Sequence, residues 1–293
     1  MRNFILGTDW WTDCDDAVAM RLVTRFIKEG KMNLLGIGMN GCMPYSVASL
    51  KGFLAADGVE NIPIGLDAEA TDFGGNPPYQ KRLAEDYGQG VSNEDAPNAV
   101  GLYRKLLAEA KEPVEIMEIG YPQVLAGVLK SRGDDISSQS GIELFKEKVS
   151  KVWMMAGKWD ANGEKENNFC RNERSRKAGK EFCELCPVPV TFLGWEVGVG
   201  VSTGSKLNKD DHLYRAMVDH GSPNGRYSWD PMLVLMAILG DEEKAGYTCV
   251  KGTAQVNDRD GTNIFVKNEK GNHQYVVKKY ENAYYEEQVD ALL

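Results

Sequence analysis

A chain of 293 residues in which 42% of side chains are apolar can bury a core large enough for one large α/β domain or two small ones. Its formal charge of −9 and lack of a Lys/Arg stripe exclude the surface that a nucleic-acid partner needs. No run of about 20 apolar residues could span a bilayer, and the start MRNFILGTDWW lacks a signal-peptide core, so the sequence predicts a cytoplasmic protein with a small-molecule ligand.

Along the chain, short apolar runs alternate with helix-like segments. FIL at 4–6, LLGIGM at 34–39, VEIMEIG at 114–120, VWMMAG at 152–157 and VPVTFLG at 188–194 read as strands. Helical spacing covers 17–28, 46–56, 98–111, 122–131 and 172–184. This alternation predicts a single α/β domain over 1–293, with a mostly parallel central sheet flanked by helices. Ligands of such sheets bind outside the carboxyl ends of the strands, where Asp9, Asn40, Gly120, Gly157 and Glu196 fall. Residues 71–97 and 157–168 read as long surface loops near that edge. A helix opens at Asp230–Pro231, and the tail from 246 reads as a hairpin followed by a short helix.

The first strand opens onto Asp9, Asp13, Asp15 and Asp16, interleaved with Trp10 and Trp11. An acidic turn before a helix caps free N–H groups and complements the helix dipole, which accounts for one or two carboxylates. Four so close repel one another unless they stay in water or surround a cation, and hard divalent cations favour several oxygen ligands. Of the six cysteines only Cys183 and Cys186 form a CxxC pair, too few ligands for a zinc site, so the sequence predicts free thiols. A phosphatase built on Asp13 and Asp15 is disfavoured because its nucleophilic Asp should leave the strand directly, and Asp13 lies seven residues past Leu6.

GTDWWTDCDDA at 7–17 resembles the amino-terminal signature of the inosine-uridine-preferring nucleoside hydrolase family, in its longer DTDxGxDxDDA form. Gly7 stands where that signature has its first Asp, and Trp10–Trp11 where it has Ile-Gly. The likeness continues in order through LLGIGMNG at 34–41, ENIPIG at 60–65, VEIMEIGYPQVLAGVL at 114–129, MMAGKWDANGEKENNF at 154–169 and SWDPMLVLMAI at 228–238.

The resemblance implies a nucleoside hydrolase-like fold and calcium-dependent hydrolysis of a ribonucleoside or related ribosyl compound to ribose and free base. It implies a Ca2+ ion held by Asp9, Asp15, Asp16, Asp230 and the main-chain carbonyl of Gln123, with Asp13 a ligand or a neighbour of the ligands. Asp9 would also be the base that takes the water proton. Asn40, Asn162, Glu166 and Asn168 would hold the sugar, with Asn167 the alternative to Asn168. Glu196 is a further pocket candidate, and Trp11 and Trp229 are candidates to stack the base. By analogy a homo-oligomer, dimer or tetramer, is expected.

The departures from the family pattern fall on the base side. Trp229 stands where several purine-cleaving members carry a histidine, while His212 and His220 lie in a segment that could reach the site and His273 lies elsewhere. GYPQV at 120–124 replaces the family's GPLTN, and NERSR at 172–176 its usual helix start. A catalytically weak or inactive nucleoside- or ribose-binding protein on the same fold is therefore the competing expectation.

Overall fold

The computed structural model describes residues 1–11, 13–75 and 78–293. In chain order the first elements are β1 (Arg2–Thr8), α1 (Asp15–Lys28), β2 (Met32–Met39), α2 (Ser46–Ala56) and β3 (Ile64–Leu66). There follow α3 (Gln80–Tyr87), α4 (Ala99–Glu109), β4 (Val114–Glu118), α5 (Gln123–Lys130), α6 (Gly141–Lys148) and β5 (Val149–Met155). Next come β6 (Glu164–Lys165), α7 (Asn167–Cys170), α8 (Glu173–Leu185), β7 (Val190–Leu193), α9 (Trp195–Gly198) and β8 (Ser202–Thr203). The chain ends in α10 (His212–His220), β9 (Arg226–Tyr227), α11 (Trp229–Leu239), β10 (Tyr247–Val256), β11 (Thr262–Lys267), β12 (His273–Lys278) and α12 (Asn282–Asp290).

One ten-stranded sheet runs in the order β3-β2-β1-β4-β5-β7-β12-β10-β11-β6. It is parallel from β3 through β12 and antiparallel across β10, β11 and β6, as the alternation predicts for the body and the tail. A strand buried on both faces feeds two apolar layers in turn. Phe4 and Leu6 join a layer built with Leu22 of α1, Phe53 of α2 and Leu233 of α11, whereas Ile5 joins Tyr103 of α4, Leu125 of α5 and Phe182 of α8. Strand order reverses direction between β1 and β4, because the chain first builds outward from β1 to β3 and then returns to its other side. That reversal opens a crevice at the carboxyl ends of β1 and β4.

Residues 71–97 are not the long loop that the sequence suggests. They contain α3, whose Leu83 is buried against α2, and a short 3-10 turn at Asn93–Asp95; positions 76 and 77 lie outside the described residues. The helices α6 and α10 are likewise absent from the sequence reading. Among the described residues no helix is long and apolar enough to cross a membrane.

Candidate functional site

The crevice is a cavity of about 310 Å³ whose acidic end is lined by Asp9, Asp13, Asp15, Asp16 and Asp230. Asp9 follows β1, Asp15 and Asp16 form the first turn of α1, and Asp230 lies in the first turn of α11, which packs along α1. Carboxylate oxygens of Asp15, Asp16 and Asp230 lie within 4.8 Å of one another, and all three residues are buried. Asp15 Oδ2 accepts from the Asp230 backbone N–H at 3.3 Å. Asp16 Oδ1 accepts from the Thr8 hydroxyl and from the Trp10 N–H. Burial first, and then the mutual repulsion of the carboxylates, pushes Asp15, Asp16 and Asp230 well above the usual carboxylate range and Asp9 up to about 8. Such a set of hard oxygen donors short of positive charge fits a divalent cation.

Asp13 is held differently. Arg226, which follows α10, grips both its oxygens, with Nε to Oδ1 at 2.8 Å and Nη2 to Oδ2 at 2.5 Å. Burial pushes the Asp13 carboxyl up, but the Arg226 pairing and His220 outweigh it and keep the group below its ordinary value. Its charge is thus already matched by protein.

The two tryptophans after Asp9 point to different places. Trp10 adopts φ +45°, the left-handed region that a bulky residue rarely enters. It is fully buried, donates from Nε1 to Ser49 Oγ at 2.9 Å, and meets Phe53 and Tyr79 edge-on. The Gln80 amide donates to the Trp10 carbonyl and Tyr79 Oη donates to the Asp13 carbonyl at 2.8 Å, so α3 and the residue before it pin the acidic turn. Trp11 instead lines the cavity, beneath the Arg171 guanidinium at 4.6 Å from its ring centre.

Of the residues expected to hold sugar, Glu166 and Asn168 line the cavity. Glu166 caps α7: its oxygens accept from the backbone N–H groups of Gly157 at 2.9 Å and Asn168 at 2.8 Å. Burial nevertheless pushes it up to about 7. Asn168 donates to the Met155 carbonyl at 2.9 Å, and Asn167 also lines the cavity, donating to Tyr121 Oη at 3.3 Å.

Asn40, Asn162, Gln123 and Glu196 are not brought to the cavity wall. The Asn40 amide donates to Glu118 Oε1 at 2.7 Å and accepts from the Tyr121 N–H at 2.8 Å. Asn162 is exposed and accepts from the Phe265 N–H, tying the 157–168 segment to β11. Gln123 is the first residue of α5, and its side chain donates to the Asn40 carbonyl. Glu196 turns back to accept from the Trp159 N–H at 3.2 Å, leaving the adjacent Trp195 at the cavity.

Trp229 lines the cavity, as Trp195 does, and donates from Nε1 to the Trp195 carbonyl at 2.7 Å. Arg226 stands 5.5 Å from its ring centre. None of the histidines lines the cavity. His220 Nε2 lies 3.8 Å from Asp13 Oδ1, His212 pairs with Asp57, and His273 is a core residue that accepts from the Ala254 N–H.

Arg171, Arg226 and Glu118 did not emerge from the sequence. Glu118 is fully buried beneath the acidic turn, and burial pushes it up to about 8. Its Oε1 accepts from Asn40 and from the Gly120 N–H, while Oε2 has no partner. A Cβ at Gly7 would lie 2.1 Å from that oxygen, so Gly7 and Glu118 share one space. The only signal was the Gly in place of the signature's first Asp. The cysteines are free, with Cys183 and Cys186 buried.

No family model matches the chain, and no curated protein matches it in sequence. Among solved structures it resembles a plant nucleoside hydrolase, with a TM-score of 0.72 and 15% identity over 99% of this chain and 98% of that one. An inosine-uridine-preferring nucleoside hydrolase from Bacillus anthracis matches with a TM-score of 0.68 and 12% identity over 100% of both chains. The type III effector protein XopQ, complexed with adenosine diphosphate ribose, has a TM-score of 0.68 and 12% identity over 99% of this chain and 93% of that one. The chain has the fold of the nucleoside hydrolases.

Proposed function

We propose that this protein is a calcium-dependent N-ribohydrolase, breaking the N-glycosidic bond of a ribonucleoside or related ribosyl compound to give ribose and the free base. The observation that carries the reading is the close approach of the Asp15, Asp16 and Asp230 carboxylates, within 4.8 Å, in one cavity with Asp9, Glu166 and Asn168. The likeness to proteins described as nucleoside hydrolases, and to one described with adenosine diphosphate ribose, supports a ribosyl ligand.

Asp9, Asp15, Asp16 and Asp230 would hold the cation. When bound, a divalent cation supplies the charge that returns these carboxylates to their ionised form, orients vicinal hydroxyls and makes water easier to deprotonate. Asp9 accepts the proton of the attacking water. Glu166 and Asn168 bind the sugar hydroxyls, and their backbone and Met155 contacts fix them in advance of binding. Asn40 acts from behind, holding the turn after β4 through Tyr121.

The test is base release from purine, pyrimidine and modified ribonucleosides, with and without chelator. Chelator-sensitive release is expected from at least one. No release from any, with ribose still bound, would favour a binding protein on the same fold, a reading supported by Trp229, rather than a histidine, standing before Asp230.

A further inference from the structure

The cavity wall that carries Trp11 is assembled from stretches far apart in sequence. Phe73 lies flat on Tyr121, with ring centres 3.8 Å apart and planes 6° apart. Both rings pack with Trp11, Met43 and Ala70 in an apolar cluster of five side chains, separate from the two main layers. A satellite cluster of this size buries little surface, so polar ties decide how firmly the segment above it is held.

Those ties come from the turn that carries Glu166 and Asn168. Glu166 caps the start of α7 and Arg171 its end. Arg171 donates from Nε at 2.9 Å and from Nη2 at 2.6 Å to the Phe73 carbonyl, while its guanidinium lies over the Trp11 ring. Asn172 donates to the Asp72 carbonyl at 3.4 Å, and Arg174 to the Glu69 carbonyl at 3.0 Å. Asn167 donates to the hydroxyl of Tyr121, the ring on which Phe73 rests. Residues 69–73 are thus held by their carbonyls from one side and through the Phe73 ring from the other. Of the three side chains that donate to this segment, Arg171 is the one that lines the cavity. A planar guanidinium can give two N–H groups to one oxygen and a flat face to a ring at the same time, which an ammonium cannot.

We propose that Arg171 is a positioning residue for the ribosyl ligand, fixing residues 69–73 and the face of Trp11 together so that this wall is set before a ligand arrives. The role deepens the ribohydrolase reading and rests on it for the ligand. A wall held in advance serves the bound substrate and the transition state alike, so its loss appears in KM rather than in kcat.

The experiment uses the full chain with calcium and two readouts, hydrolysis of p-nitrophenyl β-ribofuranoside and the rate of chymotryptic cleavage after Phe73, which is 3% exposed. Arg171→Lys keeps the charge and loses the fork. It should raise KM by about tenfold or more, as loss of hydrogen bonds from a charged group does, with kcat changed by less than about threefold. Cleavage after Phe73 should speed up by about tenfold as well, because a protease cuts the transiently opened segment. Arg171→Ala should behave alike, and guanidinium ion at a non-denaturing concentration should move both values back toward the parent's. If Arg171→Ala gives no cooperative melt, Arg171→Lys decides. Faster cleavage with KM unchanged makes Arg171 a structural tie only and overturns the positioning role. Cleavage and KM both unchanged in Arg171→Lys overturn it too, and leave the ribohydrolase reading intact. If the parent hydrolyses neither this compound nor any ribonucleoside, that reading fails, and ribose affinity by calorimetry takes the place of KM. Arg171→Lys must then weaken ribose binding by about tenfold, and unchanged affinity overturns the role.

Discussion

Arg226 clasps Asp13 through two parallel hydrogen bonds, so the second aspartate of the amino-terminal turn has its counter-charge within the protein. Among the described residues Asp15, Asp16 and Asp230, which meet within 4.8 Å, have no such partner.

Asp13→Asn should therefore leave calcium affinity within a few-fold of the parent, whereas Asp15→Asn or Asp230→Asn should lower it by about 100-fold or more, as expected for loss of a charged oxygen ligand. Because the Asp13–Arg226 pair is about one-third exposed, its loss should cost only about 1 kcal/mol of stability. Isothermal calorimetry and denaturant melts on the three variants check both halves; equal loss of affinity in all three would make Asp13 a ligand.

The metal-free protein should lose stability as pH rises. Asp9 has a folded value of about 8, above that of an unfolded chain, and Asp15, Asp16 and Asp230 are raised in the same direction. Between the unfolded value near 4 and the folded value the native state binds more protons, so unfolding free energy falls with increasing pH. Melting temperature in chelator should drop from pH 5 to pH 8. Adding calcium should reverse the drop, by about 2.7 kcal/mol at a concentration 100 times the dissociation constant. A flat profile in chelator would contradict the raised values.

Gly7 and Glu118 should behave as a coupled pair. Gly7→Ala would drive a Cβ into the Glu118 carboxyl, at an expected cost of about 1–3 kcal/mol. Adding Glu118→Gly should cost less in the Gly7→Ala background than in the parent, by about 1 kcal/mol or more, because the space is freed. Additive losses in urea titrations would place the two side chains apart.

At Trp10 the usual order of substitutions should invert. Removing a fully buried tryptophan costs about 3–5 kcal/mol, but φ +45° suits glycine and not alanine. Trp10→Gly should be more stable than Trp10→Ala by about 1 kcal/mol. The same melts decide it.

The parallel body of the sheet was legible because each strand is a run of apolar residues followed by a turn and an amphipathic helix. Asp9 was legible at the end of the first strand and Asp15 and Asp16 at the start of the helix after it, whereas Asp230 was carried by the resemblance of SWDPMLVLMAI to the family's late element. Helix α3 was hidden because only Gln80 and Leu83 of its eight residues are buried, too few to give a helical apolar period in a segment rich in Gly and Pro. Arg226 was hidden because its partner lies 213 positions away. Asn40 and Glu196 were read at strand ends and Asn162 by resemblance; their hydrogen bonds to Glu118, to the Trp159 N–H and to the Phe265 N–H join residues far apart in sequence and left no local signal. Trp10 and Trp11 are adjacent and chemically alike, and only the left-handed turn at Trp10 separates a core anchor from a cavity wall.

The first strand synthesised lies in the interior of the sheet, between β2 and β4, and its acidic turn is completed by a residue 215 positions later. During vectorial synthesis Asp13 thus lacks its counter-charge until the segment bearing Arg226 has left the ribosome. The acidic end of the crevice is therefore complete only when residues from both halves of the chain are in place.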